Sequence, residues 1–228
     1  MKLGVLFSGG KDSTYALDLA DRDENKVVCL ISIKSENKDS YMFHTPNIDI
    51  TSLQSESLDI PLIKKITKGK KETELKDLEN AIKEAKKKYG IEGIVTGAVE
   101  SVYQGTRIQK ICDKLKLWCF NPLWQFNQIE LLNELIKNKY EIIISSIAAY
   151  PLNESWLGRK IDKKTILELK NLQEKYGINP AGEGGEFESL VINCPKFNKK
   201  IKIKRSEIEY KNNAGRYNIL EANLKWKF

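Results

Sequence analysis

The residues best suited to chemistry stand near the start of the chain. Ser8-Gly9-Gly10-Lys11-Asp12-Ser13 follows an apolar run, Lys2 to Phe7, and precedes an amphipathic stretch from Ser13 to about Ala20. At a strand-to-helix turn of this kind backbone N–H groups point outward, and the helix N-terminus carries partial positive charge. The turn therefore suits an anion. Gly9 and Gly10 let the backbone approach it closely. Ser8 and Ser13 offer hydroxyls, and Lys11 a cation. These residue types in this order point to phosphate. The segment is not a Walker A loop, because Asp12 separates Lys11 from Ser13, and it lacks the G-x-G-x-x-G spacing of a dinucleotide site.

Further polar and aromatic segments follow. They are Tyr41 to Asn47 with His44-Thr45-Pro46, Gly97-Ala98, Ser101 to Arg107, Pro122-Leu123-Trp124, Glu154 to Arg159, and Asn179 to Ser189. Each has a plain structural explanation when taken alone. Pro46 fixes a rigid turn. Tyr103 to Arg107 fits the exposed first turns of a helix, although the fork of Arg107 also suits phosphate. Gly182 to Glu186 fits a hairpin turn. Trp118, Trp124, Trp156 and Trp226 read most simply as core residues. Lys199 to Arg205 alternates Lys with Ile, as a strand with a solvated face or a guarded edge would.

The scaffold is an alternation of strands and helices. Lys2 to Phe7 and Val27 to Ile33 read as buried strands. Glu72 to Tyr89 is the clearest helix, with Leu75, Leu78, Ile82, Ala85 and Tyr89 at helical spacing and Gly90 placed to end it. A strand from Ile91 to Thr96 and a helix from Ser101 to Leu115 continue the pattern. It predicts a Rossmann-like α/β fold, a parallel sheet with helices on both faces. The pattern changes after Asn121-Pro122. A helix from Gln128 to Asn138, a strand from Glu141 to Ile147, a helix from Asp162 to Tyr176 and alternating strands at the end predict a smaller α+β domain. The expected division is 1–125 and 126–228.

Length and composition exclude several classes. The chain has 228 residues, 41% hydrophobic and 30% charged, which is globular rather than disordered. The apolar stretch Ile142 to Tyr150 is interrupted by Ser145 and Ser146 and falls well short of a membrane span of ~20 residues. The N-terminal apolar run is too short for a secretory signal. The net charge of +7 comes almost wholly from Lys, which reads most simply as solvated helices, the alternative being a surface for an anionic partner, nucleic acid or an acidic protein. Cys29, Cys112, Cys119 and Cys194 show no C-x-x-C pair, and His44 is the only histidine. A Cys/His zinc site is disfavoured, and reduced core cysteines in a cytoplasmic protein are expected. The sequence leaves homo-oligomer formation open.

The loop at Ser8 to Ser13 resembles the S-G-G-x-D-S pyrophosphate loop of ATP pyrophosphatases, which split ATP between the α and β phosphates. The resemblance implies that Ser8, Gly9, Gly10, Lys11, Asp12 and Ser13 grip pyrophosphate and that Asp12 orients the loop or holds Mg²⁺. Lys2 leaves no N-terminal nucleophile for a glutaminase, and a lone histidine leaves no Cys–His pair. The ordered set of segments, above all Glu183-Gly184-Gly185-Glu186-Phe187-Glu188-Ser189, is similar to the diphthine–ammonia ligase family, over nearly the whole chain. That resemblance implies ATP-dependent amidation of diphthine on translation elongation factor 2 with ammonium, through an acyl-adenylate. Asp12, Arg107, Glu183, Glu186 and Glu188 are then the catalytic candidates, and His44 joins the ATP-binding set. Tyr103, Gln104, Trp156, Gly184, Gly185 and Phe187 are the acceptor-binding candidates. The sequence does not divide roles among the three glutamates. An ATP-dependent tRNA-modifying enzyme and a non-catalytic nucleotide-binding protein are the alternatives.

Overall fold

A computed structural model describes residues 1–22, 24–37, 47–69 and 73–227. His44 and most of its segment lie outside the described residues. The chain forms two compact units: Met1–Ser8 with Asp12–Trp124, and Gly9–Lys11 with Gln125–Phe228.

The first unit holds a five-stranded parallel sheet in the order β3-β2-β1-β4-β5. Its strands are β1 (Lys2–Leu6), β2 (Lys26–Ser35), β3 (Leu62–Thr67), β4 (Gly93–Val95) and β5 (Trp118–Phe120). Its helices are α1 (Lys11–Ala20, which begins in the second unit's three-residue piece), α2 (Thr51–Leu58), α3 (Thr73–Tyr89) and α4 (Val102–Leu115). Cys29, Ile31 and Ile33 of β2 pack with Leu78, Ala81, Ile82 and Ala85 of α3 and with Ile108, Ile111 and Cys112 of α4. Leu30, between them in sequence, is also fully buried. The strand is thus covered on both faces, which is why it reads as a continuous apolar run. Gly90 ends α3 with a φ of 65°, its N–H donating to the Lys86 carbonyl at 3.0 Å. The four cysteines are free thiols, and three of them are buried.

The strand order puts β1 beside β4, and the chain leaves these two strands toward opposite edges of the sheet. In open α/β sheets this switch point, outside the carboxyl ends of the two strands, is where ligands bind. The segments that follow both strands are among those singled out by sequence, Ser8–Ser13 after β1 and Gly97-Ala98 after β4.

The second unit is a four-stranded antiparallel sheet in the order β7-β6-β9-β8. It contains β6 (Glu141–Ile147), β7 (Phe187–Asn193), β8 (Lys199–Lys211) and β9 (Ala214–Trp226), with α5 (Gln128–Lys137) and α6 (Lys163–Tyr176). Asn127 caps α5 through its side-chain oxygen, and Asp162 caps α6. Strands β8 and β9 form one long hairpin. Asn212 and Asn213 at its tip both have positive φ, 52° and 59°. A two-residue turn with the right twist needs that conformation, and Asn tolerates it. No helix of the described residues is long and apolar enough to cross a membrane.

The structure differs from the sequence expectation in places with physical causes. Helix α1 starts at Lys11 rather than Ser13, so Lys11, Asp12 and Ser13 form its first turn. Strand β3 carries Lys64 and Lys65, which pair with Asp49 and Glu84, so its pattern reads as polar. Helix α2 buries Thr51, Gln54 and Ser57 together with Leu58, and such a face gives no hydrophobic period. Three of the tryptophans are not core: Trp118, Trp124 and Trp226 are 68%, 39% and 57% exposed.

Candidate functional site

In the first unit the turn that follows β1 is tied to itself. The Ser8 amide donates to Ser13 Oγ at 3.3 Å, and the two hydroxyls lie 3.2 Å apart. The β4 loop closes against the same turn. A Cβ added at Gly97 would lie 2.6 Å from Ser13 N and 2.7 Å from the Asp12 carbonyl carbon. Those are backbone atoms and cannot swing aside. Glycine is required there so that the two loops can touch. Gly97→Ala is expected to cost about 1–3 kcal/mol, the usual penalty for overpacking. It should also weaken nucleotide binding, because the first turn of α1 must move. Urea unfolding and nucleotide titration on the same variant check this; a wild-type midpoint and affinity would refute it.

Helix α4 supplies the other candidates of this unit. Ser101 caps it, accepting from the Gln104 amide at 3.3 Å. The Arg107 guanidinium lies 3.5 Å above the Tyr103 ring centroid, and its Nη1 reaches the Tyr103 carbonyl at 3.4 Å. Cation and ring hold each other in position. Tyr103, Gln104 and Arg107 are all partly exposed on the first two turns.

In the second unit Gly9, Gly10 and Lys11 pack on β7. Val191 N donates to the Gly9 carbonyl at 3.0 Å, and Lys11 N donates to Ser189 Oγ at 3.1 Å. Lys11 is 3% exposed. Its Nζ sits 3.9 Å from Glu183 Oε1 and 5.9 Å from the centroid of the Phe187 ring. Lys11 is therefore a desolvated cation, and the Glu183 carboxylate faces it. Ser189 ends the longest motif, and its adjacency to Lys11 cannot be read from spacing along the chain.

The three glutamates separate. Glu183 faces Lys11. Glu186 is turned into its own loop: Oε1 accepts from Asn179 N and from Asn179 Nδ2, both at 2.8 Å, and Oε2 accepts from Gly184 N at 2.9 Å. Gln128 extends this network, donating to Asn179 Oδ1 at 3.1 Å and accepting from Ala181 N at 3.0 Å. Gln128 carries no sequence signal, since its partners lie about fifty residues away. Gly182 has a φ of 78°, and a Cβ there would lie 2.6 Å from the Phe187 carbonyl oxygen. Glu188 is on β7 between Phe187 and Ser189. Side chains alternate along a strand, so Glu188 points to the face opposite those two. There it lies in one cross-strand row with Ser146 and Arg216. Burial pushes its carboxyl up to about 7, and the Ser146 hydrogen bond and the Arg216 charge offset only part of that.

The remaining predicted residues divide by exposure. Gly184 and Gly185 are exposed at the loop tip, whereas Phe187 is 3% exposed. Trp156 is 6% exposed, with the Arg159 guanidinium 4.5 Å over its ring. Arg159 in turn makes two hydrogen bonds of 2.7 Å to the Glu168 carboxylate. The motif from Glu154 to Arg159 is thereby explained as a clamp between the β6 edge and α6, not as an open aromatic surface. The described residues hold no group of three or more His, Cys, Asp or Glu able to form a metal cage. Mg²⁺ does not need one. It is commonly held by one or two carboxylates plus substrate phosphates, and Asp12 in the first turn of α1 fits that manner of binding.

Comparison with known proteins gives the same reading along the whole chain. Residues 1–118 match the family model described as the diphthamide synthase N-terminal domain, and residues 127–224 match the diphthamide synthase C-terminal domain. A Bos taurus protein named diphthine–ammonia ligase is 34% identical over 227 residues, covering 91% of this chain and 85% of that one. The Homo sapiens protein of that name is 33% identical over 227 residues, with the same shares. The one from Schizosaccharomyces pombe is 32% identical over 224 residues, 91% of this chain and 37% of its own. With both domain models matched in order, this chain belongs to the diphthamide synthase family.

Proposed function

We propose that the chain amidates the diphthine side chain of translation elongation factor 2, using ATP and ammonium and releasing AMP and pyrophosphate. Family membership over both domains carries this reading, and the loop at Ser8–Ser13 supplies its chemistry. A carboxylate is a poor acceptor for ammonia because oxide would have to leave. ATP solves this. A diphthine carboxylate oxygen attacks the α-phosphorus, the bond to the β-phosphate bridging oxygen breaks, and pyrophosphate leaves. Ammonia then attacks the acyl carbon, and the carbon–oxygen bond to AMP breaks. Ammonium gives up one proton before the attack, and the new amide nitrogen gives up another.

The residues divide the work by charge. The first turn of α1, the Ser8 and Ser13 hydroxyls and Lys11 receive the pyrophosphate, with Arg107 as a further cation. Such catalysis rests on positioning and charge neutralisation. Asp12 would hold Mg²⁺, which would supply positive charge to offset that growing on the pyrophosphate. Glu183 is the carboxylate for the cationic partners, ammonium or the trimethylammonium of diphthine. Pyrophosphate at Lys11 competes with Glu183 for that cation and frees the carboxylate to receive them. Tyr103, Gln104, Trp156, Phe187 and the exposed backbone at Gly184-Gly185 are the acceptor-binding candidates. Since the acceptor is a translation factor, we read the reaction as cytoplasmic.

The test is to incubate the chain with diphthine-bearing elongation factor, ATP, Mg²⁺ and an ammonium salt. Mass spectrometry should find the amide, and chromatography should find AMP and pyrophosphate. The rate should rise as pH approaches the ammonium pKa. ADP and phosphate as products, or a need for glutamine in place of ammonium, would overturn the reading.

A further inference from the structure

Two of the four cysteines meet in the first unit. Cys112 lies in the last turn of α4 and Cys119 in the middle of β5. The chain between them doubles back. Lys116 takes a φ of 53°, and Leu117 N donates to the Cys112 carbonyl at 2.9 Å. Strand β5 thus returns against its own helix, and the two thiols are hydrogen-bonded to each other. Cys112 is fully buried in the core cluster, whereas Cys119 packs against that cluster from a partly exposed position.

The two sulfurs are unequal. The Cys119 thiol is held below the ordinary thiol range, chiefly because Cys112 S–H donates to its thiolate. Asn121 Nδ2 donates to the same sulfur at 3.9 Å, while burial and the Asp113 charge act the other way. The Cys112 thiol is pushed well above that range by the bond to Cys119 and by burial. A thiolate is the nucleophile, so Cys119 is the reactive member and Cys112 its neighbour poised to resolve it.

Cys119 is also tied to the loop after β4. Asn121 Oδ1 accepts from Thr96 Oγ1 at 2.6 Å, and Thr96 Oγ1 accepts from Ala98 N at 3.1 Å. Gly97, between those two residues, closes against Asp12 and Ser13. Strand β5 ends the sheet order and pairs with β4 over three residues, so little opposes a small shift of it.

We propose that Cys112 and Cys119 form a disulfide when a peroxide reaches Cys119, and that this bond loosens the turn after β1. The Cys119 thiolate attacks one peroxide oxygen and the O–O bond breaks. The hydroxide that leaves takes up the proton the thiol had released, giving water and a sulfenic acid. The Cys119 sulfur then no longer carries the charge that held Cys112 protonated. The Cys112 sulfur attacks it, the S–O bond breaks, and hydroxide leaves with the Cys112 proton as a second water. Two electrons pass from the two thiols to one peroxide. The sulfurs close to about 2.0 Å, which draws Cys119 toward α4 and away from Asn121. The Asn121–Thr96 bond and the Gly97 contact slacken in turn. The disulfide is independent of the proposed reaction, while its effect on ATP rests on the reading that the turn after β1 takes the nucleotide.

The test treats the full chain with hydrogen peroxide and follows intact mass, peptide mapping and ATP titration, before and after a dithiol reductant. The mass should fall by two hydrogens, and mapping should join Cys112 to Cys119. ATP affinity should fall about tenfold, an ordinary size for coupling between two sites, and return on reduction. Cys29, whose thiol burial pushes up to about 12, should stay reduced. Cys119→Ser should keep its ATP affinity under peroxide. In Cys112→Ala the reaction should stop at the sulfenic acid of Cys119, which a 1,3-diketone traps. Thermal melting shows which variant keeps the fold, and either suffices. Oxidation of Cys119 to the sulfinic acid with no cross-link in wild type would overturn the proposal, as would a cross-link that leaves ATP affinity unchanged. If the cross-link forms but the reduced chain binds no ATP, the disulfide stands, and the nucleotide reading of the turn falls together with the coupling.

Discussion

Asp12→Asn is expected to lower amide formation by about 100-fold or more, the scale seen when one preorganised electrostatic group is removed from a reacting centre, and to leave the fold intact. The side chain belongs to the first turn of α1, the turn whose N-terminus and neighbouring Gly9, Gly10 and Lys11 attract phosphate. A carboxylate there repels the ligand that the rest of the turn draws in. The conflict disappears if Asp12 holds a divalent cation. The variant should therefore bind ATP without Mg²⁺ at least as tightly as wild type, while the gain in affinity on adding Mg²⁺ is lost. Calorimetric titration with and without the metal reads this separately from turnover. Wild-type turnover in the variant, or an undiminished Mg²⁺ effect on ATP affinity, would remove Asp12 from the site.

Which parts of the molecule are legible in its sequence follows from which forces leave a trace there. Helix α3 repeats its apolar residues at helical spacing, and β2 is apolar without a break from Val27 to Ile31, so burial marks both. The polar buried face of α2 and the lysines of β3 hide those elements, because there the sheet is completed by hydrogen bonds and ion pairs that no period records. The segment Ser8–Ser13 is legible because its signal is a set of particular residue types in consecutive order. The acceptor loop is legible as a motif but not as roles. Spacing along the chain says that Glu183, Glu186 and Glu188 are near one another. It does not say that Glu186 is satisfied by Asn179 and Gly184, or that the strand begins at Phe187 and turns Glu188 to the other face. Those facts depend on tertiary partners and on where one strand starts. Nor does spacing say that the buried Trp156 ring is covered by Arg159, whose own position is fixed by Glu168 of α6.

The three glutamates provide the sharpest test of the acceptor loop, because each substitution by Gln should fail differently. Glu183→Gln removes the negative charge facing Lys11 at 3.9 Å and no other contact in the Glu186 network. Amide formation should fall about 100-fold, with melting unchanged and ATP affinity equal or higher, since Lys11 loses its competing partner. Glu186→Gln puts an NH₂ group against N–H donors that now meet a carboxylate oxygen, at Asn179 or Gly184. Leaving a buried donor unsatisfied costs about 1–3 kcal/mol, so the protein should melt lower, and turnover should fall with the loss of loop geometry and partly return on cooling. Glu188→Gln should keep near wild-type turnover and change only the pH dependence of stability. Its carboxyl is raised to about 7 in the folded protein from 4.5, so between those values the folded state holds a proton that the unfolded chain has released. Stability therefore falls as pH rises from about 4.5 to 7 and levels off above, and the Gln variant should lose that slope. Melting curves across this range, ATP titration and amide formation on the three variants decide the assignment. If Glu188→Gln abolishes turnover at pH 8 while Glu183→Gln does not, the catalytic carboxylate is on the other face of β7 and Glu183 is not the group that receives the cationic substrates.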